Sequence, residues 1–124
     1  VDGYTVIIKK HPIFKRVEDN LWIKLKVPLF LMLTGCENFP VPTISSSPMF
    51  IRWSRILHPL ETIKIANRGM PIEKSALFGD LYIVIVPEFP EYIDEMTIRK
   101  IRKIFVRDKH LIYLKKSSVD VIDI

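Results

Sequence analysis

Proline stands at positions 12, 28, 40, 42, 48, 59, 71, 87 and 90, against only four glycines, and this punctuation constrains the fold more than any other feature. Each proline fixes φ and removes a backbone donor, so it ends a helix or confines a strand to an edge or boundary. The chain is therefore predicted to consist of many short elements joined by stiff turns, with no long helix across this region. Its 124 residues have room for one domain and a tail. A domain of this size buries roughly two-thirds of its unfolded surface and needs no metal or disulfide to hold it. The 48% hydrophobic and 27% charged content excludes a disordered chain.

Between the prolines the pattern is mostly that of strands. Leu21, Ile23, Leu25 and Val27 alternate with Trp22, Lys24 and Lys26, the period of a strand with one buried face. Residues 4–9, 49–53 and 61–66 show shorter versions of the same alternation. Residues 81–86 are apolar on both faces, which predicts the central, most buried strand. Loops are expected at 17–20, 42–48, 55–59, 69–79 and 87–93.

Two segments read as helices. In residues 28–34, Pro28 suits the first helical position and Gly35 the position past the end. The second begins at Asp94, a good N-cap, and runs to about Val106. It places Ile98, Ile101, Ile104 and Phe105 on one stripe, with Arg99, Lys100, Arg102 and Lys103 opposite. The predicted fold is all-β: a small β-sandwich with one short helix after the first domain strand and an amphipathic helix at the C-terminal end.

The residues speak against chemistry. His11, His58 and His110 are far apart and there is one cysteine, Cys36, so no spacing resembles a metal site and no internal disulfide can form. A lone cysteine fits a reducing compartment, and a cytoplasmic setting, with the nucleus as a further option, is expected. Cys36 adjoins no basic residue and reads as a small apolar side chain. Ser45, Ser46, Ser47 and Ser54 lack the Gly-x-Ser-x-Gly elbow of hydrolases, and Glu88, Glu91, Asp94 and Glu95 read as a solvated loop and a helix cap. No glycine-rich phosphate cradle exists, so no catalytic residue, metal or cofactor is expected. No apolar run approaches the ~18 residues of a membrane span, and no basic-then-apolar signal segment opens the sequence. The net charge of +5 is concentrated between residues 99 and 109. No aromatic residue interleaves with Arg99, Lys100, Arg102 and Lys103, so a solvated face is expected there and nucleic acid is not the expected partner.

The helix at 28–34 is unusual because Leu29, Phe30, Leu31, Met32 and Leu33 are apolar all round. A surface helix needs a polar side, so this one must be covered by the domain or by a bound chain. Phe30, Leu31 and Met32 are the candidates for an adaptable apolar cleft that takes extended peptide.

One internal similarity stands out. Gly3-Tyr4-Thr5-Val6-Ile7-Ile8 followed by His11-Pro12 is similar to Asp80-Leu81-Tyr82-Ile83-Val84-Ile85 followed by Phe89-Pro90, and Pro12 and Pro90 lie 78 positions apart. The pattern predicts the tail of one repeat followed by a whole second one. His11-Pro12-Ile13-Phe14-Lys15-Arg16, with Asp19-Asn20-Leu21 behind it, resembles the hinge between the two β-domains of DnaJ-type co-chaperones (J-domain proteins). Pro28-Leu29 through Leu33-Thr34-Gly35 resembles the short helix of that family, and Pro42-Thr43-Ile44 its hairpin entry. Arg68-Gly69-Met70-Pro71, Gly79-Asp80-Leu81-Tyr82, Phe89-Pro90 and the helix from Asp94 complete the resemblance in order, over roughly residues 2–106.

The resemblance implies residues 1–13 as the last strand of a preceding β-domain and its hinge, 14–106 as the second C-terminal β-domain with its helix, and 107–124 as a divergent tail. The J domain and the Cys-rich module of the family lie outside this sequence, so the chain is expected to be a piece of a longer protein. By the resemblance it binds unfolded or extended polypeptides and, through the full-length protein, delivers them to the seventy-kilodalton heat-shock chaperone. The family dimerises through its C-terminal end, which makes Ile98, Ile101, Ile104 and Phe105 the expected dimerisation residues. A dimerisation or scaffold module without clients, and an RNA- or membrane-surface-binding module using the basic helix, are the alternatives. Three departures from the family pattern carry structural expectations. Val17-Glu18 and Ser45-Ser46 each stand in place of Asp-Gly, and Asn67 stands in place of a frequent glycine, at a turn that asparagine tolerates.

Overall fold

The computed structural model describes residues 14–44, 49–116 and 120–124. The strand expected at 4–9, the hinge at His11-Pro12 and the hairpin at Ser45-Ser46 lie outside them. The chain divides into two compact units, Val1–Pro90 and Glu91–Ile124.

The first unit is a small all-β sandwich. Its strands are β1 (Lys15–Val17), β2 (Asn20–Pro28), β3 (Cys36–Val41), β4 (Met49–Trp53), β5 (Thr62–Ile65) and β6 (Leu81–Glu88), with helix α1 (Leu29–Thr34) between β2 and β3. One sheet has the order β1-β2-β6-β5, and β3 and β4 form the other. As the sequence suggests, β6 is interior, and the buried residues of β2 are Leu21, Ile23, Leu25 and Val27. The β2–β6 pair is parallel and in simple register from Leu21↔Leu81 to Pro28↔Glu88, while β5 runs antiparallel to β6. Leu81, Ile83 and Ile85 join the odd-numbered residues of β2 on one face, where Val41, Met49 and Trp53 of the smaller sheet, Met32, Leu57, Met70 and Phe14 close the core. The apolar side chains thus leave water between two layers, which is the main stabilising term of such a fold.

Two strands are absent from the pattern reading. In β1 every side chain is exposed, so no alternation marks it. β3 contains Pro40 and shifts register between Cys36 and Phe39, consistent with the confinement of proline to edges and irregular places. α1 begins one residue later than expected, because Pro28 still pairs in β2 and occupies the cap position.

The turn residues behave as their chemistry requires. Glu18 sits in the two-residue turn between β1 and β2 with φ 56°, where a glycine would be unstrained. Asn67 takes φ 62°, the left-handed region that asparagine tolerates best after glycine.

The motifs around Gly69 and Gly79 form a backbone junction. The Gly69 N–H donates to the Gly79 carbonyl (2.8 Å), the Gly79 N–H to Met70 (2.8 Å), and the Met70 N–H to Asp19 (2.9 Å). The Leu21 N–H donates to Asp80 (2.9 Å), and the Asp80 N–H to Asn20 Oδ1 (2.8 Å). Three chain segments meet so closely that a Cβ on Gly79 would lie 2.0 Å from the Asp19 carbonyl oxygen. These recognisable motifs hold the turn before β2, the loop after β5 and the start of β6 together.

The second unit contains α2 (Glu95–Phe105), a single 3₁₀ turn (Asp108–His110) and α3 (Leu111–Leu114). Asp94 caps α2, its side chain accepting from the Thr97 N–H at 2.7 Å, and hydrogen bonding by the Thr97 side chain, and then by this N–H, holds the carboxyl below its ordinary range. Among the described residues no helix is long and apolar enough to cross a membrane.

Candidate functional site

α1 carries apolar side chains all round because it is half sunk into the sandwich. Met32 is 1% exposed and belongs to the core, Leu31 is half-buried against it, and Phe30 is 64% exposed. Of the three predicted cleft residues, Met32 faces inward, so only Phe30 and part of Leu31 can meet a ligand at the surface. The last carbonyls of a helix lack partners within it. Here the Leu31 carbonyl accepts from Trp53 Nε1 (2.8 Å) and from the Gly35 N–H (2.9 Å), and the Met32 carbonyl accepts from the Leu57 N–H (2.9 Å).

Trp53 and Leu57 also line a cleft of about 390 Å³ between β4 and β5. Its apolar lining comes from Ile51, Trp53, Leu57, Ile63 and Ile65, with Arg52, Ser54 and Arg55 completing it. β4 pairs only with β3, and β5 only with β6, so among the described residues each is the terminal strand of its sheet. The cleft thus lies between two strands that each retain an unpaired edge, the arrangement that accepts an extended chain by strand addition. Periodicity flagged both strands, but nothing local in the sequence shows that Ile51 and Ile63 share one hollow.

The loop beside the cleft is clasped by an ion pair. Arg55 grips the carboxylate of Glu61 through two nitrogens, and the His58 N–H donates to Glu61 Oε1 at 3.1 Å. The Arg55 hydrogen bond, and then the His58 N–H, hold the Glu61 carboxyl down to about 2 from its ordinary 4.5. A lowered carboxylate pKa contributes stability above the unfolded value, and that contribution is lost as pH falls from about 4.5 through about 2. Glu61→Gln should therefore lower the urea midpoint at neutral pH and flatten its decline in that acid window. Parallel midpoint-against-pH curves for parent and variant would show that the clasp contributes nothing.

The predicted dimerisation residues lie on α2, in the second unit. Ile98, Ile101, Ile104 and Phe105 are all exposed, and no residue of the helix is buried. Cys36 is half-buried against the core. His58 serves the Glu61 clasp, and His110 Nδ1 accepts from the Arg107 N–H at 3.0 Å, so these two have structural employment.

Comparison with known proteins places this architecture. The family model of the DnaJ C-terminal domain matches residues 2–90. The chain belongs to the DnaJ C-terminal domain family, whose members are chaperones. It is 36% identical over 86 residues to DnaJ protein homolog xdj1 of Schizosaccharomyces pombe, covering 67% of this chain and 21% of that protein. It is 28% identical over 99 residues to chaperone protein DnaJ of Bdellovibrio bacteriovorus, covering 77% and 26%. It is 36% identical over 83 residues to DnaJ homolog subfamily B member 13 of Homo sapiens, covering 66% and 26%. The chain thus spans about a fifth to a quarter of the length of these relatives.

Proposed function

We propose that this chain is the peptide-holding and dimerising part of a co-chaperone, with residues 14–106 acting as its second C-terminal β-domain. Extended, unfolded polypeptide adds to the strand edges of β4 and β5 and sets apolar side chains into the cleft over Ile51, Trp53, Leu57, Ile63 and Ile65. The full-length protein delivers that client to the seventy-kilodalton heat-shock chaperone. The observation that carries the reading is an apolar hollow between two terminal strands, since main-chain pairing there gives affinity without demanding one client sequence. No covalent step is asked of these residues.

α1 joins this surface because its carbonyls are hydrogen-bonded to Trp53 and Leu57 of the lining. Phe30→Ser removes an exposed side chain, so it should cost less than about 1 kcal/mol in stability while weakening an apolar heptapeptide severalfold in an anisotropy titration. Met32→Ala, in contrast, should destabilise by about 2–5 kcal/mol as a core truncation. Ile63→Asp tests the cleft directly and should abolish heptapeptide binding. Unchanged affinity in both Phe30→Ser and Ile63→Asp would sink the client-binding reading.

A further inference from the structure

We propose that the solvent face of the β1-β2-β6-β5 sheet binds an acidic, extended segment of a partner protein. This face is opposite the core and distinct from the cleft, and the proposal does not rest on client binding.

Register sets the face out in rows. Lys15 pairs with Trp22, Trp22 with Tyr82, and Tyr82 with Lys64, so two aromatic rings stand at the centre of a row that ends in a lysine on each side. The next rows along β2 hold Lys24 beside Val84, and Lys26 beside Val86. Lys64 is engaged by Asp80 at 3.5 Å. Lys15, Lys24 and Lys26 are exposed and have no ion-pair partner among the described residues. The acidic groups of the same face are Asp80, held by Lys64 and the Asn67 N–H, and Glu88, at the far end opposite Pro28. The middle of the face therefore carries uncompensated positive charge.

The rings decide which anion fits. Their centroids are 4.5 Å apart and their planes are within 15°, about the spacing of the strands that carry them. They stack across the β2–β6 pair, and because strand side chains stand roughly perpendicular to the sheet, rings stacked in this way present edges rather than faces to solvent. A ring edge is the positive rim of the quadrupole, and these edges carry an indole N–H and a phenol O–H that donate to no group among the described residues. Such edges suit carboxylates. They offer no flat platform for a nucleic-acid base. Lys24 and Lys26 are two residues apart on one strand, roughly 6.8 Å, which is also the spacing of carboxylates on alternate residues of an extended chain.

The test uses the whole chain, a fluorescein-labelled peptide of alternating Glu and Gly, and a labelled uridine oligonucleotide of equal charge, in 0.05 M and 0.15 M salt. The peptide should bind, weaken with salt, and shift the Trp22 indole resonance. The oligonucleotide should bind about tenfold more weakly or less. K24E/K26E should weaken the peptide about tenfold and leave the apolar heptapeptide unaffected. K115E/K116E, which has the same net charge, should change peptide affinity less than twofold. Equal loss in the two double variants, a tighter oligonucleotide, or an unmoved Trp22 resonance would overturn the proposal.

Discussion

Gly79→Ala should destabilise the domain by more than about 3 kcal/mol, beyond the usual cost of an overpacked site. The added Cβ would lie 2.0 Å from the Asp19 carbonyl oxygen and 2.5 Å from its carbon. Neither atom can swing aside as a side chain would, because each belongs to the turn that leads into β2. Relief requires moving the turn, and that would break the Met70-to-Asp19 and Leu21-to-Asp80 hydrogen bonds that align β2 with β6. The damage would reach the parallel pairing at the centre of the sandwich. A loss of this size corresponds to a fall in melting temperature on the order of 15 °C. Gly69→Ala, with its Cβ 2.6 Å from the same carbonyl oxygen, should behave alike. A Gly79→Ala protein melting within 2 °C of the parent would mean that the junction gives way cheaply.

That junction shows which parts of the fold are legible in sequence. Alternation along residues 21–27 exposes β2 because one of its faces is dry and the other wet, and the caps Asp94 and Val106 bound α2 where the composition says they should. Asn67 and Glu18 announce their positive φ only by standing where the family has glycine. Pairing partners are a different matter. Nothing near Leu21 states that it lies beside Leu81 in parallel, since that contact is made by a crossover of more than fifty residues. The same non-locality hides the functional surfaces. The cleft draws on residues 51–57 and 63–65, and Trp22 meets Tyr82 only through the strand register. Met32 illustrates the converse. Its place in an all-apolar helix reads as surface softness, but burial is decided by which side of α1 the sandwich covers.

On the proposed dimer contact through α2, Ile101→Asp should keep the chain monomeric. The two sides of α2 are not equivalent: Arg99, Arg102 and Lys103 occupy one, and Ile98, Ile101, Ile104 and Phe105 the other. Two like-charged faces repel, so pairing of this helix with a second copy is favoured through the apolar stripe. In a two-fold pairing the same patch serves both partners, and a residue near its centre meets its own counterpart or the neighbours of that counterpart. Ile101 holds that central place. Burying each apolar side chain of the stripe is worth roughly 1.5–3 kcal/mol before the costs of association, enough for dimers at about tens of micromolar once those costs are met. Aspartate there would remove one such contribution and set two carboxylates against each other in a water-poor seam, a far larger effect than the lost contact alone. Because Ile101 is exposed in the isolated chain, the helix itself should persist, and circular dichroism should change little. Sedimentation velocity should show the parent shifting from monomer to dimer with concentration and the variant remaining monomeric throughout. An unchanged mass distribution in Ile101→Asp would place the dimer contact elsewhere and remove α2 from the assembly surface.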